Sequence, residues 1–213
     1  MKLLVATNNP HKVQEYQDMF LGYDIEIVSP KDLNIHVDPE ENGSTYEENS
    51  LIKAKALQEY SSFPIIADDS GLNVHALNNF PGIHSSRFAK ECGGNEFANI
   101  KLIEMLKPYE DKSADFTCVI TLLNVDKNPI VFKGVCPGKI LDKPDGVNGF
   151  GYDPIFYSNE AKCSFGSVSE EIKNKYSHRA KAFKKLINYL KEKSSSKELL
   201  FIEYIDNNKD KTK

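Results

Sequence analysis

Apolar residues crowd positions 2–6 (KLLVA) and stop at Thr7-Asn8-Asn9-Pro10, after which Val13, Tyr16 and Phe20 recur at helical spacing as far as Gly22. The pattern predicts a strand, a tight turn and a helix, with Asn9 as N-cap and Pro10 at the first helical position, where its missing N–H is no loss. Ile25 to Val28 predicts a second strand, and residues 36–44 (HVDPEENGS) an acidic loop. A helix over Thr45 to Tyr60 follows, with Leu51, Ala54 and Leu57 on one face and a capping box in Thr45 and Glu48. Phe63 to Ala67 predicts a buried strand running into Asp68-Asp69-Ser70-Gly71, beyond which Leu72, Val74 and Ala76 alternate, and Asn78-Asn79-Phe80-Pro81-Gly82 is dense in turn formers. A helix over Asn95 to Leu106 precedes a predicted hairpin of two long strands, Ala114 to Val125 and Pro129 to Leu141. A Gly-rich loop at 144–154 leads to an amphipathic helix over Ser177 to Lys193.

Interleaved strands and helices with short connections predict the α/β class: an elongated, two-lobed fold with a central mixed β-sheet flanked by helices and a substrate cleft between the lobes. Residues 1–194 read as one such domain. Residues 195–213 read as an extension in which Leu199 to Ile205 either adds an edge strand or stays disordered.

The chain has 213 residues, and Lys+Arg 27 against Asp+Glu 31 gives a net charge of -4. No global basic field recruits nucleic acid or anionic lipid, so an anionic ligand would need local cations or a metal. No apolar run is long enough to span a membrane, and the opening residues turn polar too early for a secretory signal, which predicts an intracellular, cytoplasmic protein. The cysteines at 92, 118, 136 and 163 show no metal-type spacing and read as reduced structural thiols.

Four clusters carry candidate chemistry. Thr7-Asn8-Asn9-Pro10-His11-Lys12 places a helix N-terminus and a lysine after a buried strand, which either binds an anion or simply caps the helix; it is not a Walker A loop. Asp68-Asp69, with Glu40-Glu41 ahead of another helix, supplies oxygen ligands suited to Mg²⁺, or else an Asx-turn that stops the strand. Gly149-Phe150-Gly151-Tyr152-Asp153 either lets a flat ligand stack on Phe150 or is a tight structural loop. Lys173, with His178 and Arg179 after a capping Ser177, groups three donors that could read carbonyl acceptors on a base, although His178 alone reads as a satisfied surface histidine.

Together LLVATNNPHKVQE (3–15), EENGSTYEENSLIKA (40–54), ADDSGLNVHALNNFPGIHSSR (67–87), NGFGYDPIF (148–156) and SHRAKA (177–182) resemble the inosine/xanthosine triphosphate pyrophosphatase family. Five motifs in register are far more specific than any one. The resemblance implies cleavage of non-standard purine nucleoside triphosphates (ITP, dITP, XTP) between the α and β phosphates by a homodimer. It further implies that Thr7, Asn8, Asn9, Pro10, His11 and Lys12 form the triphosphate-binding turn and that Lys53 contacts phosphate. Glu41 and Asp69 would hold an essential Mg²⁺, with Asp69 also accepting a proton from the attacking water. Ser70, Phe150, Gly151, Tyr152, Asp153, Lys173, His178 and Arg179 would surround sugar and base. Asn8, Asn78-Asn79, Asn148 and Ala180 stand where the family often has Gly. A Maf-like TTP/UTP pyrophosphatase and a non-catalytic purine nucleotide-binding module are the alternatives.

Overall fold

The structure, a computed structural model, describes residues 2–195; the expected strand at Leu199 to Ile205 lies outside the described residues. β1 (Lys2–Val5), buried at three of its four positions, crosses the expected turn into α1 (Pro10–Met19). Asn9 caps that helix, its side chain accepting from His11 N at 3.0 Å, and Pro10 opens it. After β2 (Glu26–Val28), α2 (Tyr46–Gln58) starts at Thr45, whose Oγ1 accepts from Glu48 N at 3.1 Å. Glu48 closes its half of the cap on Ser44, accepting from Ser44 N and Oγ at 2.6 and 2.8 Å, because that residue offers two donors at once.

The acidic motif departs from one expectation. Asp68-Asp69-Ser70-Gly71 does not end the strand; it lies inside β3 (Ile65–Val74). Every residue of β3 is paired antiparallel with β5 (Ser113–Leu123), so a ten-pair ladder overrides the local turn preference of Asp, Ser and Gly. Strand alternation then sends Asp68 and Ser70 to one face and Asp69 and Gly71 to the other.

The sheet runs β2-β1-β3-β5-β6-β7-β8, with β6 (Ile130–Ile140), β7 (Phe156–Ser158) and β8 (Cys163–Ser164). β1 pairs parallel with β2 and β3, and the remaining pairs are antiparallel, which is the mixed sheet expected. β1 reaches only Ile65 and Ile66 of β3, whereas β4 (Phe80–Pro81) pairs with Asn73 and Val74. Since β5 occupies the other edge throughout, residues 67–72 of β3 have no strand partner on this edge, and the site forms there.

α3 (Ser85–Glu91), α4 (Asn95–Leu106), α5 (Glu170–Tyr176) and α6 (His178–Ser195) complete the described residues. α4, α6 and the β5–β6 hairpin lie where the periodicity puts them. α3 and α5 are two turns each, too short for a period to show. Apolar burial forms three clusters along the long strands. Leu72, Val74 and Phe116 pack with α3, α4 and β7; Ile66 and Ile120 pack under α1 and α6; Ile65 and Ala67 pack under α2.

Asn78 and Asn79 take left-handed φ of 54° and 63°, a conformation Asn tolerates better than other non-Gly residues. Gly71 is required for space: a Cβ there would sit 2.8 Å from Ser85 Oγ and from Tyr46 Oη, and closer still to the Gly82 carbonyl. Gly71→Ala is therefore expected to destabilise the chain by about 2–3 kcal/mol through overpacking. A chemical-denaturation midpoint equal to wild type would contradict this.

Candidate active site

The Thr7-Asn8-Asn9 turn and the first turn of α1 face the open edge of β3. Lys12 Nζ reaches across to Asp68 Oδ1 at 3.2 Å. From α6, Arg179 binds Asp68 Oδ2 through Nε and Nη2 at 3.1 and 3.0 Å, binds Ser70 Oγ through Nη2 at 3.1 Å, and pairs with Glu15 through Nη1. Glu15 also accepts from Lys173 Nζ at 2.7 Å, and Lys173 pairs with Asp153 at 2.8 Å. Three acids and three bases thus alternate in one chain of contacts from Asp153 to Lys12. Lys173 and Arg179 are only 2% and 1% exposed, a depth at which an unpaired charge would be costly. Burial favours a neutral Asp68, yet Lys12 and Arg179 together hold its carboxyl well below the usual range. Arg179 and Lys173 likewise hold Glu15 low against its burial.

Asp69, one residue on, has the opposite fate. Its Oδ1 accepts from Lys53 Nζ of α2 at 3.0 Å, and the same ammonium lies 3.2 Å from Glu41. Its Oδ2 is buried with no hydrogen-bond partner. Burial pushes its pKa up to about 6, and Lys53 and Lys12 only partly oppose the rise. Adjacent carboxylates are thereby differentiated: Lys12 and Arg179 hold Asp68 as an anion, while burial raises Asp69.

The far wall is the Gly-rich loop. Gly149 and Gly151 take φ of 72° and 64° on either side of Phe150, and a Cβ on Gly149 would collide with the Asp153 carboxylate that accepts from Phe150 N at 2.9 Å. Asn99 of α4 donates to the Gly151 carbonyl at 3.1 Å, and Tyr152 Oη donates to the Ser85 carbonyl, so the loop is held from two helices. His178 is stacked on Phe116 at 4.7 Å, and burial, reinforced by Arg179 and Lys173, keeps its imidazole neutral.

Thr7, Asn8, Asn9, His11, Lys12, Glu41, Lys53, Asp69, Ser70, Phe150, Gly151, Tyr152, Asp153, Lys173, His178 and Arg179 line one cleft of about 600 Å³, a volume typical of small-molecule sites. Pro10 faces a neighbouring groove instead. The three expected base donors do come together, Lys173 from α5 and His178 and Arg179 from the start of α6, and both Lys173 and Arg179 already donate to carboxylates. Glu15 is the residue sequence reasoning missed. Its signal was a carboxylate beside buried Tyr16, one turn after Lys12. Phe116, at an ordinary apolar strand position, gave none.

Residues 3–189 match the model of the Ham1 family. The chain belongs to the Ham1 family. Among its relatives, a dITP/XTP pyrophosphatase of Thermoanaerobacter pseudethanolicus is 46% identical over 92% of this chain and 100% of its own length. One of Clostridium perfringens is 41% identical over 89% and 97%. Of solved structures, the Staphylococcus aureus Ham1 protein matches with a TM-score of 0.81 at 38% identity, covering 91% of this chain and all of its own. A HAM1 protein of Coxiella burnetii gives 0.81 at 36% identity, covering 90% and 99%. No helix of this Ham1-family chain, among the described residues, is long and apolar enough to cross a membrane.

Proposed function

We propose that this chain hydrolyses purine nucleoside triphosphates carrying a 6-oxo base (ITP, dITP, XTP) to the monophosphate and pyrophosphate, and that residues 1–194 form the two-lobed catalytic unit, acting as a cytoplasmic homodimer. The observation that carries the reading is Asp69: a buried carboxylate with one oxygen on Lys53 and the other unbonded, in the cleft that Phe150 also lines. The pyrophosphatase names of relatives over nine-tenths of the chain support the same chemistry.

Glu41 and Asp69 fit a Mg²⁺ ion. They share one lysine, and the unbonded Asp69 Oδ2 is a ligand atom in want of a partner. The remaining ligands of such an ion would be substrate phosphates and water. Bound Mg²⁺ would neutralise and orient phosphate oxygens. The N-terminus of α1 with Lys12 and Lys53 receives the triphosphate. Asp69 takes the proton of a water whose oxygen bonds to the α-phosphorus as the α–β bridging bond breaks. Positioning and electrostatics then supply most of the rate.

Phe150 serves as platform for the base, with Lys173, His178 and Arg179 around it. Since Lys173 and Arg179 already donate to carboxylates, a 6-carbonyl would accept from His178, whose buried Nδ1 has no partner, whereas the amine of adenine would leave that donor unpaired. Pyrophosphate release from ITP, XTP, GTP, ATP and TTP, with and without Mg²⁺, tests the reading: ITP and XTP should exceed ATP by at least about a hundredfold, and only with the metal. Preference for TTP would move the chain to the Maf-like alternative, and binding of ITP without release would make it a nucleotide-binding module.

A further inference from the structure

Phe150 carries two neighbours that an incoming base must meet. The His11 imidazole lies parallel to its ring, with centroids 5.2 Å apart and 12° between planes. Lys173 Nζ lies 4.4 Å from the ring centroid. Lys173 is pinned, since Glu15 and Asp153 both hold its ammonium. His11 is not: its side chain is exposed, and no described residue bonds to its imidazole nitrogens. Its backbone N is engaged by Asn9 Oδ1, and that bond persists whichever way the ring turns.

A purine between the two rings would need them about 7 Å apart, two contact distances of roughly 3.5 Å each. At 5.2 Å there is no room for a third ring. His11 and a base therefore compete for the same face of Phe150, and of the two neighbours His11 is the one free to yield.

We propose that His11 occupies the base platform in place of a nucleotide and is displaced when a purine stacks on Phe150, so that it sets affinity for the base and not for the phosphates. The proposal rests on the reading of Phe150 as the platform. It also moves His11 from the phosphate-binding group, where the family resemblance puts it, to the base side of the cleft. The displaced stack subtracts from base affinity by what an aromatic pair is worth, so removing the ring strengthens binding.

The test is calorimetric titration of the full chain with IMP and, separately, with inorganic pyrophosphate. His11→Ala should bind IMP about 2- to 12-fold more tightly, the range an aromatic pair contributes, with pyrophosphate affinity unchanged. In a Phe150→Ala background the same substitution should have no effect on IMP, because there is no stack left to break. Unchanged or weaker IMP binding by His11→Ala would overturn the proposal, and a parallel loss for IMP and pyrophosphate would return His11 to the phosphate turn. Failure of the platform reading shows in a different comparison: once the competing ring is gone, adding Phe150→Ala to His11→Ala would leave IMP affinity unchanged, and the His11 proposal would fall with it.

Discussion

Asp69→Asn is expected to cut ITP turnover by at least about a hundredfold, the usual contribution of a general base, while raising the melting temperature at pH 8 by several degrees. Both effects follow from burial. The folded carboxyl has its pKa raised from 3.8 to about 6, so ionised Asp69 opposes folding. Below about pH 4 the group is protonated in folded and unfolded chains alike and contributes nothing. Between pH 4 and pH 6 the folded chain holds the extra proton, and stability falls as pH rises. Above pH 6 the penalty is complete, on the order of 3 kcal/mol. Asparagine resembles the neutral carboxyl and escapes that penalty. The gain in melting temperature should therefore be present at pH 8 and absent at pH 4. Wild-type turnover in the variant would remove Asp69 from the chemistry, and a pH-independent change in melting temperature would refute the linkage.

Arg179→Ala is expected to cost about 3–5 kcal/mol of folding stability, the toll of leaving buried carboxylates without their partner. Glu15 and Asp68 are 3% and 2% exposed, and both depend on this guanidinium. The loss is a large fraction of the 5–15 kcal/mol that holds a typical domain together. A drop in the urea midpoint is the signature to look for, and an unchanged midpoint would contradict it. The family resemblance casts Arg179 as a base donor, but its described contacts are Glu15, Asp68 and Ser70. Any change in the ratio of ITP to ATP turnover must accordingly be measured at a denaturant-free temperature where the variant is fully folded.

Local rules made most of this chain legible. Asn9 and Pro10 announce the start of α1, Thr45 that of α2, and alternation with a polar break announces the β5–β6 hairpin. The acidic motif was misjudged as a strand terminator because turn preference is a property of four residues, whereas the ladder that overrides it comes from a partner about fifty positions later: Asp68 lies opposite Ile120 and Asp69 opposite Val119. Glu15 was missed for the same reason. Its partners, Lys173 and Arg179, are 158 and 164 residues away, a separation that no periodicity encodes. That these distant positions line one cleft follows from the family resemblance, which groups motifs that spacing alone does not join.

The interrupted pairing along β3 has a consequence for colloidal behaviour. A strand edge without a strand partner is ordinarily a template on which a second chain could add, and between β1 and β4 only its far end is covered, where Ser85 Oγ accepts from Leu72 N. Here that stretch carries two carboxylates, paired with Lys12 on one face and with Lys53 on the other, and an invading strand would have to bury all of them. The charges assembled around the cleft therefore also guard the sheet, so a variant that neutralises Asp68 and Asp69 together loses its protection against self-association along with its chemistry.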